Sequence, residues 1–504
     1  MTFVIFFHTL PAVAKKCYLR FYSRFFAIQA FFKEGDFMLE LNNHSSRTSE
    51  QFKERSINEC FQFLSNLPQI EYGPQTLVRS ELLDTLLNNP KKNIDIILIG
   101  GSGSKDSTIF FSSKLLQEEG FNVGIIYASQ ILSYSERIFI NNNPVTNKLF
   151  AEELSNIIDI SLTENLEPTA FELILMTGLK IFQKAGIEVA LVEVGIGGKF
   201  DATAILKPII SAVTKVTLKD INYLGKDLDK IAYEMMEASK AGCWFISSEQ
   251  SKLRLQKMKS FALARNLQWS MPIRKHSNLP FIYSQIFGKD ASLAERIVQI
   301  YVENIKGSFS AFLRGNILPA KKGKGQRGRP TVEEKKRCAE SPCINIKNFW
   351  ENAFELKRAN FELLEKESPT VLLDRSSELS GIDSVLLGIR LLNYKHPISK
   401  TIIIAGIEKE VAKDQITKAF RYLFRKMSGE IIFVPLTQSQ GHDPKELCEE
   451  ALNIGLNAKS ATCIKSAFDE ARSCTAGKNS LICLLGGNEV VAGYWKQVRG
   501  IKKI

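Results

Sequence analysis

Residues 94–108 read IDIILIGGSGSKDST. The run Ile94-Asp95-Ile96-Ile97-Leu98-Ile99 is short, rich in isoleucine and closed by Gly100. It predicts a strand buried on both faces, the pattern of a parallel sheet. The small residues that follow form a turn whose backbone N–H groups a phosphate could approach closely. Lys105 would balance phosphate charge and the Ser107 hydroxyl would hold Mg²⁺. The spacing is not the full G-x-x-x-x-G-K-[ST] pattern, because Asp106 separates the lysine from the hydroxyl. Its carboxylate would face phosphate of the same sign unless it turned outward. Taken alone, the stretch is equally a Gly/Ser turn between a strand and a helix.

Outward from that turn, helical spacing over Ser107–Glu119 is followed by a strand at Val123–Tyr127, giving a βαβ unit. The alternation continues with a helix at Phe171–Ala185, strands at Val189–Val194 and Ile209–Val216, and helices at Leu228–Ala241 and Ala291–Ile305. Four further strand-like runs, Val371–Leu373, Thr401–Ala405, Glu430–Val434 and Leu481–Leu485, predict a second α/β domain. Upstream, Ser56–Leu67 and Thr76–Leu87 read as helices.

The chain has 504 residues, enough for two or three domains. No apolar run is long enough to span a bilayer, so no membrane partner is expected. The nine cysteines show no C-x-x-C spacing. That fits free thiols in a reducing compartment, and a cytoplasmic location is expected. The net charge of +12 is unevenly placed. Residues 321–337 (KKGKGQRGRPTVEEKKR) carry eight basic and two acidic residues, a surplus of six that is half the total. The charge therefore describes a local stretch, and nucleic acid is not expected as a partner of the folded body. Within it, Gln326-Arg327-Gly328-Arg329-Pro330 resembles the core of an AT-hook, although a solvated insertion is the plainer reading. Residues 1–37 are rich in Phe and have no acid before Glu34, partly like an organelle transit peptide. Met38 is an equally good start.

Several stretches, in order, resemble folylpolyglutamate synthases and dihydrofolate synthases of the Mur ligase superfamily. Gly101–Thr108 is similar to that family's G-T-N-G-K-G-S-T. Leu115–Asn141 looks like its helix, strand and S-P-H-L segment, with Glu136-Arg137-Ile138 beside R-E-R-I. Thr169-Ala170-Phe171-Glu172 is similar to T-F-F-E, and LVEVGIGGKFDATAI at Leu191–Ile205 to E-V-G-L-G-G-R-L-D-A-T-N. The likeness covers about residues 57–500 apart from the basic insertion.

The resemblance implies an α/β fold: a Mur-ligase-like central P-loop ATP-binding domain with a smaller Rossmann-like C-terminal domain. The expected boundaries are a non-core segment 1–55, the central domain 56–318, the basic insertion 319–345 and the C-terminal domain 346–504. It implies a ligase that uses ATP and Mg²⁺ to join L-glutamate to a folate or dihydropteroate through an acyl phosphate, acting as a monomer. Gly101, Ser102, Gly103, Ser104, Lys105, Ser107, Thr108 and Asp374 are then expected to bind nucleotide. Ser107 and Glu193 would hold the metal, with Lys105 and Glu193 as the catalytic pair. Gly197 and Gly198 permit a tight turn that Asp201 and Thr203 brace.

The chain also departs from the family. Its D-H is here Lys219-Asp220, and its carbamylated lysine aligns on Met235, a poor ligand for a hard cation. Lys240-Ala241-Gly242 matches K-A-G only with an insertion. D-G-A-H-N-P becomes Asp374-Arg375-Ser376-Ser377-Glu378-Leu379, and the arginine of G-R-F-E becomes Asn360, with Arg358 nearby. A catalytically silent protein that keeps the fold is the alternative these departures allow.

Overall fold

A computed structural model describes residues 53–272, 279–308, 310, 346–352, 357–436, 441–475 and 479–501. The expectations for residues 1–37 and for the basic stretch 321–337 lie outside the described residues.

Two sheets organise the molecule. The first takes β1 (Asp95–Gly100), β2 (Val123–Ile126), β3 (Ile138–Ile140), β4 (Asn143–Pro144), β5 (Val189–Glu193), β6 (Ile210–Val213), β7 (Trp244–Ser247) and β8 (Gln268–Ser270), in the order β4-β3-β2-β5-β1-β6-β7-β8. β2–β3 and β3–β4 are antiparallel and every other pair is parallel. The second takes β9 (Glu362–Leu364), β10 (Thr370–Asp374), β11 (Lys400–Ala405), β12 (Gly429–Phe433), β13 (Ala458–Ser460) and β14 (Ser480–Leu485), in the order β13-β12-β11-β14-β10-β9. Only β9 runs antiparallel.

The reading of β1 as doubly buried has a simple cause. Ile97 and Ile99 enter one hydrophobic core, and Ile96 and Leu98 enter another on the opposite face of the sheet. The first core is closed by α3 (Lys105–Glu118) and α8 (Phe281–Gln299) through Phe111, Leu115, Leu293 and Ile297. The second is closed by α1 (Ile57–Asn66), α4 (Asn147–Thr163) and α5 (Ala170–Ala185) through Leu64, Leu154, Ile158, Leu173 and Phe182. α2 (Pro74–Leu86) lies against the same side, with Leu83 in that core. Beyond β6, α6 (Leu228–Met236) and α7 (Lys252–Ala264) bury Ile231, Met235 and Met258 in a smaller cluster.

The second sheet is covered by α9 (Leu379–Lys395), α10 (Lys413–Phe424), α11 (Pro444–Asn453), α12 (Ile464–Cys474) and α13 (Gly487–Gly493). The first core does not stop between the sheets. Phe287 on α8 belongs to the same cluster as Ile382, Val385 and Leu386 on α9.

Sequence and structure differ at some ends. The helix expected over Leu228–Ala241 stops at Met236, and the chain turns out through Gly242 at φ +86. Lys240 is thereby placed in an exposed turn. The helix expected from Ala291 begins ten residues earlier, at Phe281, and its continuation at Ile300–Ile305 widens into a π-turn. The two- to four-residue strands β3, β4, β7 and β8 carry too little periodicity to be read from sequence.

Candidate active site

In a parallel sheet ligands gather at the carboxyl ends of the strands, where connections leave to opposite faces. β1 is flanked by β5 and β6, and the turn after β1 is stitched to the loop after β6. The Ser102 N–H donates to the Lys215 carbonyl at 2.9 Å. The Thr217 N–H donates to the Ser102 hydroxyl at 2.8 Å. The Thr214 hydroxyl donates to the Gly103 carbonyl at 2.6 Å. The closeness explains Gly101: at φ +125, a Cβ there would lie 2.1 Å from Thr214 Oγ1. Ser104, where the family has glycine, holds the left-handed conformation at φ 57, at a cost of about 1–2 kcal/mol for a non-glycine residue.

That turn delivers Lys105 as the first residue of α3, whose free N–H groups and dipole favour an anion. The Lys105 ammonium donates to the Val194 and Gly195 carbonyls at 2.6 and 3.3 Å. It lies 3.5 Å from Glu193 Oε1. Glu193 ends β5 buried, and its other oxygen accepts from the Ala128 N–H at 3.0 Å. The pair therefore links the loops after β1, β2 and β5.

These groups open on a cavity of ≈ 290 Å³. The central sheet supplies Ser102, Gly103, Ser104, Lys105, Ser107 and Glu193 to its wall. The second sheet supplies Asp374, Ser377, Glu378 and Glu408. Of the expected nucleotide residues, Gly101 and Thr108 do not line it. Gly101 is filled behind by Thr214. The buried Thr108 hydroxyl turns back to the Ser104 carbonyl at 3.1 Å. Asp374 lines the cavity, but its two oxygens accept from the Phe361 and Ser376 N–H groups at 2.8 and 2.7 Å. Burial pushes its carboxyl up to about 6. Gly197 turns at φ +57, and Asp201 braces the loop through the N–H of Ile196 and the hydroxyl of Thr203.

Sequence reasoning missed how the second lobe answers the phosphate turn. Asp106 does not leave the site: it lines the cavity, and its charge is met there by an ion pair with Arg375. The Asn360 amide donates to Asp106 Oδ2 at 2.8 Å and to Ser107 Oγ at 2.9 Å, and accepts from Arg375 Nε at 3.1 Å. Lys357 stands 3.7 Å from the same carboxylate. Glu378 reaches across to Lys215 at 2.6 Å and to the Thr217 hydroxyl at 3.2 Å. A Cβ on Gly103 would lie 2.0 Å from the Glu378 carboxylate, so any larger residue there would push that side chain aside. The available signal was charge at family-glycine positions: Asp106 after the lysine and Arg375 after the strand-end aspartate.

Two further groups set the electrostatics. Asp290 on α8 is buried and its carboxyl is pushed up to about 7 by that burial, against the pull of Lys215 and a hydrogen bond with Ser104. Lys219 lines the cavity. Burial works against its charge, yet Asp220, Glu408, Glu378 and Glu193 together raise its pKa.

Among the described residues no three His, Cys, Asp or Glu side chains cluster as a metal cage. The donors present, Ser107 and Glu193, are hard oxygens of the kind Mg²⁺ accepts alongside phosphate and water. They fit one such ion. Met235, at the family's second-metal lysine, is buried in an apolar cluster. No described helix is long and apolar enough to cross a membrane.

No protein-family model matches the chain. Among curated proteins it is 28% identical over 185 residues to the dihydrofolate synthase/folylpolyglutamate synthase of Bacillus subtilis, covering 36% of this chain and 43% of that protein. It is 27% identical over 151 residues to the dihydrofolate synthetase of Saccharomyces cerevisiae, covering 29% and 35%. The matched stretch thus spans less than half the length of these relatives. Among solved structures, Mycobacterium tuberculosis folylpolyglutamate synthase complexed with ADP and AMPPCP superposes with a TM-score of 0.67 at 17% identity, covering 88% of this chain and 99% of that one. E. coli FolC in complex with DHPP and ADP gives 0.66 at 17%, covering 88% and 98%. The resemblance read from the motifs holds, and the fold is the two-domain α/β fold of the folylpolyglutamate synthases.

Proposed function

We propose that this chain is an ATP-dependent amide ligase that joins L-glutamate to a folate or dihydropteroate. The observation that carries the reading is the Lys105–Glu193 pair, set at the N-terminus of α3 on a cavity between the carboxyl ends of two parallel sheets. The names of the similar proteins supply the substrate class.

In this reading Lys105 exchanges the Val194 and Gly195 carbonyls for the β- and γ-phosphates. Ser107 and Glu193 hold one Mg²⁺, which neutralises phosphate charge when bound. An acceptor carboxylate oxygen displaces ADP from the γ-phosphorus. The glutamate amine then attacks the acyl carbon and loses a proton as inorganic phosphate leaves. The side chains of the second metal site are replaced, and the Lys219 ammonium supplies fixed positive charge among Glu193, Glu378 and Glu408.

The test is ADP release by the full chain given ATP, Mg²⁺, glutamate and a panel of dihydropteroate and reduced folates. Release that needs both acceptor and glutamate is expected, falling at least about 100-fold in Lys105→Ala, the scale of a lost transition-state contact. No release from folded protein would overturn it.

A second reading has its own observation. The Asp106–Arg375–Asn360–Ser107 network occupies the groups a nucleotide would use, as in a protein that keeps the fold without turnover. Nucleotide binding without ADP release would select it.

A further inference from the structure

α9 and α10 lie side by side on the surface of the second lobe, with a groove of ≈ 520 Å³ between them. Leu379, Leu386, Leu387, Ala419 and Leu423 form its apolar walls. None of its residues lines the cavity at the phosphate turn. What occupies the groove is therefore a question separate from the ligase reading.

The outward residues of α9 follow one stripe. Asp383, Leu387, Arg390 and Tyr394 recur every three or four residues, so they share a face of the helix. Tyr394 is 90% exposed, the most of any large hydrophobic side chain described. The Asp383 carboxylate has no hydrogen bond or ion pair among the described residues, although partial burial raises its pKa. Arg390 lies 4.7 Å over the Tyr422 ring and has no carboxylate partner among them either. Each charge on the rim thus lacks its opposite, and an aromatic knob stands on the same face as an apolar groove.

The spacing identifies the occupant. When two copies of one helix pair antiparallel about a two-fold axis, residues equally far to either side of the axis meet. An axis between Leu386 and Leu387 sets Asp383 against the partner's Arg390, and by symmetry Arg390 against the partner's Asp383. The same axis brings Tyr394 to the partner's Leu379, which lines the groove. One operation meets both charges and seats the knob. We propose that the α9–α10 face is the contact of a homodimer, with the two α9 helices antiparallel across the axis and Tyr394 of each copy in the groove of the other. This departs from the monomer that the family resemblance implies. Two helices make a small interface, so a dissociation constant of about 10–100 µM is expected.

The test is sedimentation velocity of the full chain, from about tenfold below to about tenfold above that constant. The natural chain is expected to pass from monomer to dimer. Asp383→Arg alone and Arg390→Asp alone each set like charges face to face, and each is expected to weaken association at least about tenfold. Mixed in equal amounts, the two variants are expected to associate again, because every charge contact then joins opposite signs. Tyr394→Ser, at an exposed position, is expected to weaken the dimer while the melting temperature at the lowest concentration stays unchanged. A natural chain that is monomeric throughout, any of the three variants associating as the natural chain does, or a mixture no more associated than its parts would each overturn the proposal.

Discussion

The β1–α3 turn and the segment 358–378 face each other across one cavity, but they hold their polar groups differently. The turn is fixed from behind. Ser102 and Gly103 are hydrogen-bonded to Thr214, Lys215 and Thr217 of the loop after β6, so the turn's shape is set within the central sheet whatever stands in front. The opposing segment has its backbone in the second sheet, but its polar side chains are fixed from the front. Asn360, Arg375 and Glu378 spend their side chains on Asp106, Ser107 and Lys215 of the other wall. A wall held from behind can keep its catalytic geometry while residues around it change. A wall held from the front changes only together with what it touches.

The largest effect should come from cutting the frontal contact. In Arg375→Gln the partly buried Asp106 keeps only Asn360 and the more distant Lys357. A loss of about 2 kcal/mol is expected in urea unfolding, below the scale of a broken fully buried pair. Asp106→Asn combined with Arg375→Gln should recover at least half of that loss. A double variant no more stable than Arg375→Gln alone would show that the two walls are not coupled.

A smaller effect belongs to the wall held from behind. The Asp290 carboxyl, raised to about 7 in the fold from an ordinary 3.8, keeps its proton where the unfolded chain has lost it. The folded state then binds more protons between those values, so this group's contribution is present at low pH and is lost as pH rises toward 7. Measured against Asp290→Asn, the natural protein should lose about 2 kcal/mol between pH 5 and pH 7.5. Parallel stability curves for the two proteins would show that the carboxyl is ionised throughout.

The smallest effect concerns the turn alone. Ser104→Gly should raise stability by about 1 kcal/mol, by releasing the left-handed backbone from its side chain. A loss would mean that the hydrogen bond between Ser104 and Asp290 outweighs the strain.

The same contrast explains what could be read in the sequence. β1, the turn and β5 lie within short stretches whose pattern is local, and Lys105 and Glu193 sit where their motifs place them. Asp106 was legible only as a charge problem. Its solution, Asn360, is 254 residues away along the chain, and no local pattern reports a contact of that separation. The end of α6 was misread because its apolar spacing runs on past Met236, while the chain leaves the helix to reach the turn at Gly242. The short strands β3 and β4 went unseen because three and two residues show no alternation.

The hydrophobic core that passes from α8 to α9 without a break has a consequence for how the molecule comes apart. Phe287 lies in one cluster with Ile97 of the first sheet and Ile403 of the second. Opening the cavity by swinging the lobes must shear this packing, whereas sliding along α8 and α9 would preserve most of it. Each lobe also has a core on the outer face of its own sheet, but neither lobe can unfold without breaking the shared one. The described body should therefore melt in one calorimetric transition, with a van't Hoff enthalpy that matches the calorimetric one.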